Sequence, residues 1–233
     1  MYCTKRDAVT GDHVFAREFF LPSERVNLPQ APACAKWNNK KSKLEHYLTA
    51  VLPFGGRHSA ATQNLASMVP KRLSKNLKLD RALVAGRQKT KAPSEEGDTA
   101  ETMTIPIDGD RVKQLFAMVA RGLIWFHWNV YLSDDCEIKS MTVTHFGEQY
   151  FDQLVFRRNA KDRVKIDLGH GTFEYEGVLA KDNSELTAWR CSIYGGLSAC
   201  EEPDSPESFG SRIIVITGPS PLITIICREN ANA

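Results

Sequence analysis

Asp12 and His13 stand side by side in Gly11-Asp12-His13-Val14-Phe15, and Asn38 begins the run Asn38-Asn39-Lys40-Lys41-Ser42. On an extended strand, neighbouring side chains point to opposite faces. An adjacent carboxylate and imidazole can therefore divide two tasks, one gripping a cation and the other facing a substrate. Neutral imidazole is the side chain best matched to proton abstraction near pH 7. The carboxamide oxygen of Asn38 is a hard donor that suits Mg²⁺, and a helix opening there would turn its N-terminal dipole toward a phosphodiester. An Asp-His pair alone is common and carries almost no information. Its weight comes from the residues downstream and their order.

Downstream of the pair lie Asn27-Leu28 and then Cys34-Ala35-Lys36-Trp37-Asn38-Asn39-Lys40-Lys41-Ser42. In this order and spacing the segment resembles the HNH (ββα-metal) endonuclease family over roughly the first quarter of the chain. The resemblance implies an ion, Mg²⁺ or Mn²⁺, held by Asp12 and Asn38. It implies His13 as the general base that activates water and Asn27 as the residue that orients it. The Asn-x-x-Lys-Ser ending is similar to the version in the HNH domains of RNA-guided nucleases; Ser42, one helical turn after Asn38, could face the same ion directly or through water. Relatives with a structural zinc carry two Cys-x-x-Cys knuckles. Here these read Cys3-Thr4-Lys5-Arg6 and Cys34-Ala35-Lys36-Trp37, each without its second cysteine. Two thiolates do not complete a tetrahedral site, so no structural zinc is expected and Trp37 is expected to pack where it would lie.

The function implied is a metal-dependent endonuclease that hydrolyses DNA phosphodiesters with weak sequence preference, with RNA as the other candidate substrate. The competing reading is a catalytically inactive nucleic-acid-binding or regulatory module on a decayed HNH scaffold. Charge is consistent with a polyanion partner. Residues 1–92 hold 17 lysines and arginines against 6 acidic residues, and the remainder holds 13 against 22, for a net charge of +2. Lys40, Lys41 and Lys43, with Lys71, Arg72, Lys75 and Lys78, are the candidates for phosphate contacts. The plainer reading of the same stretch is a solvated helix face.

The elements expected to position these residues form an α+β fold: an N-terminal ββα finger with basic helices, then a helix on a mostly antiparallel sheet. The expected division is 1–85 for the HNH-like part, 86–104 for a polar linker or long loop, and 105–233 for an acidic α+β domain. Leucine and valine periodicity predicts helices over Ser42–Leu52, Ser59–Val69 and Lys71–Val84, and a strong one over Arg111–Trp128 capped by Asp110. A further helix is predicted over Glu148–Phe156. Alternation and β-branched runs predict strands over Glu137–Thr144, Arg163–Leu168, Thr172–Leu179, Leu186–Tyr194 and Arg212–Thr217.

Other reactive residues carry less. Cys34 lacks the surroundings of an activated thiolate. His127, within Trp125-Phe126-His127-Trp128, reads as a packed core imidazole. His145 and His170 have no pairing partner in sequence, and the acidic run from Glu201 to Glu207 reads as a solvated loop. Six cysteines are too sparse for a disulfide scaffold and are expected to be reduced. No apolar run reaches the ~18 residues of a membrane span, and the first residues lack a secretory signal, so the expected compartment is the cytoplasm. The acidic half is expected to offer a surface for a homodimer or a partner protein.

Overall fold

The computed structural model describes residues 8, 10–93, 99–143, 145–153, 160–197 and 212–224. Strands β1 (Thr10–His13) and β2 (Gln30–Ala33) pair antiparallel, with Asp12 opposite Ala31 and His13 opposite Gln30. Only Cys34, extended at φ −88°, separates β2 from helix α1 (Ala35–Val51). The helix therefore starts well before the predicted Ser42, and Asn38 sits in its first turn rather than opening it. Ala35, Lys36, Lys40 and Lys41 are good helix formers that no apolar period announces.

Three short helices come next: α2 (Ser59–Ser67), α3 (Val69–Lys75) and α4 (Leu77–Gly86). Pro70, directly after the predicted Ser59–Val69 helix, lies in the first turn of α3, where its missing N–H costs nothing. The predicted helix over Lys71–Val84 breaks at Asn76, whose side-chain oxygen accepts the Leu79 N–H at 3.1 Å and caps α4. The stretch expected as a linker carries an antiparallel ribbon, β3 (Gln88–Pro93) and β4 (Thr99–Thr104). Its sequence is mostly polar, so no alternation marks the strands.

Helix α5 (Gly109–Trp128) is capped by Asp108, which accepts the Arg111 N–H at 3.2 Å, because Gly109 and Asp110 are already helical. Strands β5 (Cys136–Val143), β6 (Ala160–Leu168), β7 (Phe173–Ala180), β8 (Thr187–Ile193) and β9 (Arg212–Pro219) form a five-stranded antiparallel sheet in the order β5-β9-β8-β7-β6. These match the predicted strands to within a few residues. Helix α6 spans His145–Phe151, and part of the helix predicted over Glu148–Phe156 lies outside the described residues.

The central strands of the sheet pack apolar side chains on both faces. On one, Phe173, Tyr175, Trp189, Cys191 and Val215 meet Val112, Leu115, Phe116 and Leu123 of α5. On the other, Val178, Ala188, Ile214 and Ile216 meet Phe151 of α6 and Ile223. Val14, Phe15, Phe19 and Phe20, from the long connection between β1 and β2, join the first of these cores with Leu44 and Leu48 of α1. Phe15 packs against Phe173 with ring centroids 4.3 Å apart, and the Tyr194 hydroxyl donates to the Phe19 carbonyl at 2.8 Å. Residues before position 86 and after position 104 thus share one apolar core. Among the described residues, no helix is long and apolar enough to cross a membrane.

Two positions in this core give measurable consequences. Gly177 lies opposite Trp189, and a Cβ there would come within 2.3 Å of the indole, which is fully buried. Gly177→Ala is expected to lower the unfolding free energy by about 1–3 kcal/mol in urea denaturation, the usual cost of overpacking. His127 shares a 3.1 Å hydrogen bond with the Tyr175 hydroxyl, and burial holds its imidazole below the ordinary value, with Asp162 opposing. The unfolded chain then binds this proton more readily, so stability falls as pH drops through the imidazole range. His127→Gln should lose less stability than wild type between pH 7 and 5 in the same denaturation series.

Candidate functional site

The site begins at the end of β1. Antiparallel pairing with β2 holds Asp12 and His13 extended, and the buried pair Val14 and Phe15 anchors the chain immediately after them. The single-residue junction at Cys34 brings α1 back along the hairpin. Asn38, Lys41 and Glu45 recur three and four residues apart, so they form one stripe along this helix. Lys41 defines where the stripe points. Its side chain is 1% exposed, and its ammonium lies 3.0 Å from Asp12 Oδ2, 2.5 Å from Glu45 Oε1 and 2.5 Å from the His13 carbonyl oxygen.

This overturns one expectation. Lys41 does not reach a phosphate: it is an internal cation, stitched to two carboxylates and a strand carbonyl. Lysine is almost never fully buried unless paired, and here the pairing is with groups of the site itself. Arg72 also leaves the phosphate-contacting set. Its guanidinium donates to the Thr49 carbonyl at 2.7 Å and the Glu18 carbonyl at 2.8 Å, tying α3 to α1 and to the turn after β1. Lys40, Lys43, Lys71, Lys75 and Lys78 are exposed. Lys40 lies over the Trp37 ring at 5.4 Å and Arg121 approaches the same ring at 5.8 Å, while Trp37 packs partly buried against the core.

His13 is half-buried, and its Nδ1 is buried with no hydrogen-bond partner among the described residues. Burial, and then the Arg17 charge, hold the imidazole below its ordinary value, with Asp12 opposing. The ring is therefore neutral near pH 7, the state a base requires. Asn27 is exposed in a left-handed conformation at φ 56°, a backbone role that asparagine tolerates, and it does not bond the buried Nδ1. Glu45 was missed at the sequence level. Its signal was the i,i+4 spacing from Lys41 on the helix face that also carries Leu44 and Leu48. Burial pushes its carboxyl above the ordinary range, against the pull of Lys41.

The resemblance to the HNH family would have Asp12 and Asn38 hold a hard divalent ion. Among the described residues no group of three His, Cys, Asp and Glu side chains converges. Asp12 is engaged through Oδ2 by the Lys41 ammonium, and Asn38 lies one turn before Lys41 on the same helix. Mg²⁺ takes one or two such protein oxygens and completes its shell with water and substrate phosphate. Of the two degenerate knuckles, Cys3 lies outside the described residues and Cys34 is a buried thiol. On the far face of the sheet, Arg190 and Arg212 pair with Glu148, and Arg190 also with Glu176 and Asp152. These pairs staple α6 to β8 and β9.

Removing the buried ammonium isolates two carboxylates. Lys41→Met is expected to cost about 3–5 kcal/mol of stability in chemical denaturation, the range for breaking a buried ion pair. Lys41→Met combined with Glu45→Leu should recover only part of that, because Asp12 still loses its partner while the Glu45 carboxylate is removed.

Comparison with protein-family models, with curated proteins and with solved structures finds no match.

Proposed function

We propose that the chain is a metal-dependent endonuclease whose β1–β2–α1 unit is a ββα-metal finger without structural zinc. The observation that carries this reading is the Lys41–Asp12 ion pair, which turns the Asn38–Lys41–Glu45 stripe of α1 toward the Asp12-His13 end of β1. A hairpin, an immediate helix, and a carboxylate facing that helix are the parts the chemistry needs, in the order it needs them.

In this reading Asp12 and Asn38 hold the ion. When bound, it supplies Lewis-acid stabilisation of the charge that grows on the phosphate and the leaving oxygen. His13, neutral and on the opposite face of the strand from Asp12, takes the proton from the attacking water. Exposed Lys40, Lys43, Lys71, Lys75 and Lys78 hold flanking phosphates, which gives salt-sensitive binding with little sequence preference. DNA is the expected substrate class.

A non-catalytic nucleic-acid-binding module is the second reading, and one specific observation favours it: Lys41 already neutralises Asp12. Plasmid nicking at low salt with Mg²⁺ or Mn²⁺ separates the two. The nuclease is expected to convert supercoiled plasmid to the open circle, and His13→Ala to lower that rate at least about a hundredfold while leaving the thermal midpoint within a few degrees. Equal nicking by both proteins removes His13 from the chemistry, and DNA binding without nicking leaves the module.

A further inference from the structure

We propose that strand β6 is the interface of a two-fold dimer, in which β6 of a second copy of this chain pairs antiparallel along its outer side. This goes beyond the nuclease reading and does not depend on it. The large sheet runs β5-β9-β8-β7-β6, so among the described residues β6 pairs only with β7. An edge strand carries a row of backbone donors and acceptors on its outer side, a template for another strand. Residues 161–163 and 165–167 are exposed, with Val164 and Leu168 half-buried. By alternation Val164, Ile166 and Leu168 share one face, and Lys165 and Asp167 share the other.

What selects a second copy is the self-complementarity of this strand. A two-fold axis perpendicular to the sheet runs the two strands antiparallel and joins like faces, so each register is defined by the residue that meets itself. Centring on Ile166 sets Ile166 against Ile166, Val164 against Leu168 and Lys165 against Asp167, the last two pairs repeated by symmetry. Apolar side chains then meet on one face and opposite charges on the other, the pairs that stabilise a ladder. The neighbouring centres fail. Arg163, Lys165 or Asp167 at the axis would meet its own charge, and Val164 there would oppose Arg163 to Lys165. Charged residues on an edge strand normally keep sheets apart, and here their order leaves the Ile166 register open. The other edge strand, β5, offers less. Its Glu137 is already held by Lys139 at 3.1 Å and by the Ser220 hydroxyl at 2.8 Å, and Ile138 packs against the core.

The test is the oligomeric state of the full chain under reducing conditions, by sedimentation equilibrium from about 1 µM to about 1 mM. A short ladder buries less surface than a standard interface, so a concentration-dependent dimer is expected. Ile166→Lys, at a position 36% exposed in the single copy, sets like charges at the axis. It is expected to weaken the dimer at least about tenfold and to leave the thermal midpoint within a few degrees. Lys165→Glu and Asp167→Lys are each expected to self-associate at least about tenfold more weakly, and to pair with one another when mixed, since opposite charges then face each other again. The Asp167 carboxylate also accepts the Gly171 N–H at 2.6 Å. Should its replacement not fold, cross-linking decides. Ile166→Cys places two thiols at the axis within disulfide reach and is expected to give a covalent dimer on mild oxidation, whereas Arg163→Cys, which would face Gly169, is not. A monomer over the whole range overturns the pairing and leaves the edge to a strand of another protein. A dimer indifferent to Ile166→Lys, folded charge variants that do not pair when mixed, or equal cross-linking by the two cysteine variants also overturns it.

Discussion

A lysine ammonium cannot be taken out of water without oxygens to receive it, and the arrangement around Lys41 is a consequence of that constraint. Its partners come from two elements: Glu45 from the next turn of the same helix, and Asp12 with the His13 carbonyl from β1. Supplying all of them requires the hairpin to lie along the first turns of α1. That requirement is directional, unlike the apolar contacts around it, because an ion pair specifies which strand residue meets which helix residue. One consequence reaches the chemistry. Asp12 faces the helix, and the imidazole of His13 is left to the other side of the strand.

Apolar packing fixes the same register from the opposite direction. Val14 and Phe15, directly after His13, are fully buried, and Phe15 lies against Phe173 of the large sheet. Phe19 is held through its carbonyl by the buried Tyr194 hydroxyl and by Asn64. The end of β1 is therefore clamped on both sides, by charge toward α1 and by aromatic rings toward β7. An imidazole whose pKa is lowered by burial keeps that environment only on a backbone that does not wander, and this clamping provides one. It also gives the acidic, sheet-forming part of the chain a physical connection to the candidate site: its side chains form the floor on which the hairpin connection rests.

The strands of the large sheet were legible from the sequence because each alternates or runs β-branched between turn residues: the central β8 and β9, buried on both faces, run apolar, while the edge strand β6 alternates with mostly exposed residues. Helix α5 was legible for the related reason that one side of it is apolar over its whole length. The β3–β4 ribbon was not legible. It is mostly polar, and only backbone pairing across the ladder makes it a pair of strands. The early start of α1 was hidden in the same way, since its first two turns owe their helicity to propensity and to the hairpin beneath them. Asn76 shows the reverse case: a polar residue inside an apparently continuous helical period became a cap, because its side chain competes for the next helix's amides.

At the candidate site the residue types and their order were written in the chain: a carboxylate and an imidazole at adjacent strand positions, and a carboxamide early in a helix. Alternation along the strand was enough to send Asp12 and His13 to opposite faces. Which cationic residues meet solvent and which meet the site was not written there. Lys40, Lys41 and Lys43 look equivalent in sequence, yet Lys41 alone of the three is buried. That outcome depends on the azimuth of α1 against β1, set by contacts between residues far apart in the chain. Periodicity within the helix fixes only relative angles, so the direction of the stripe, and with it the charge beside Asp12, was decided in the tertiary structure.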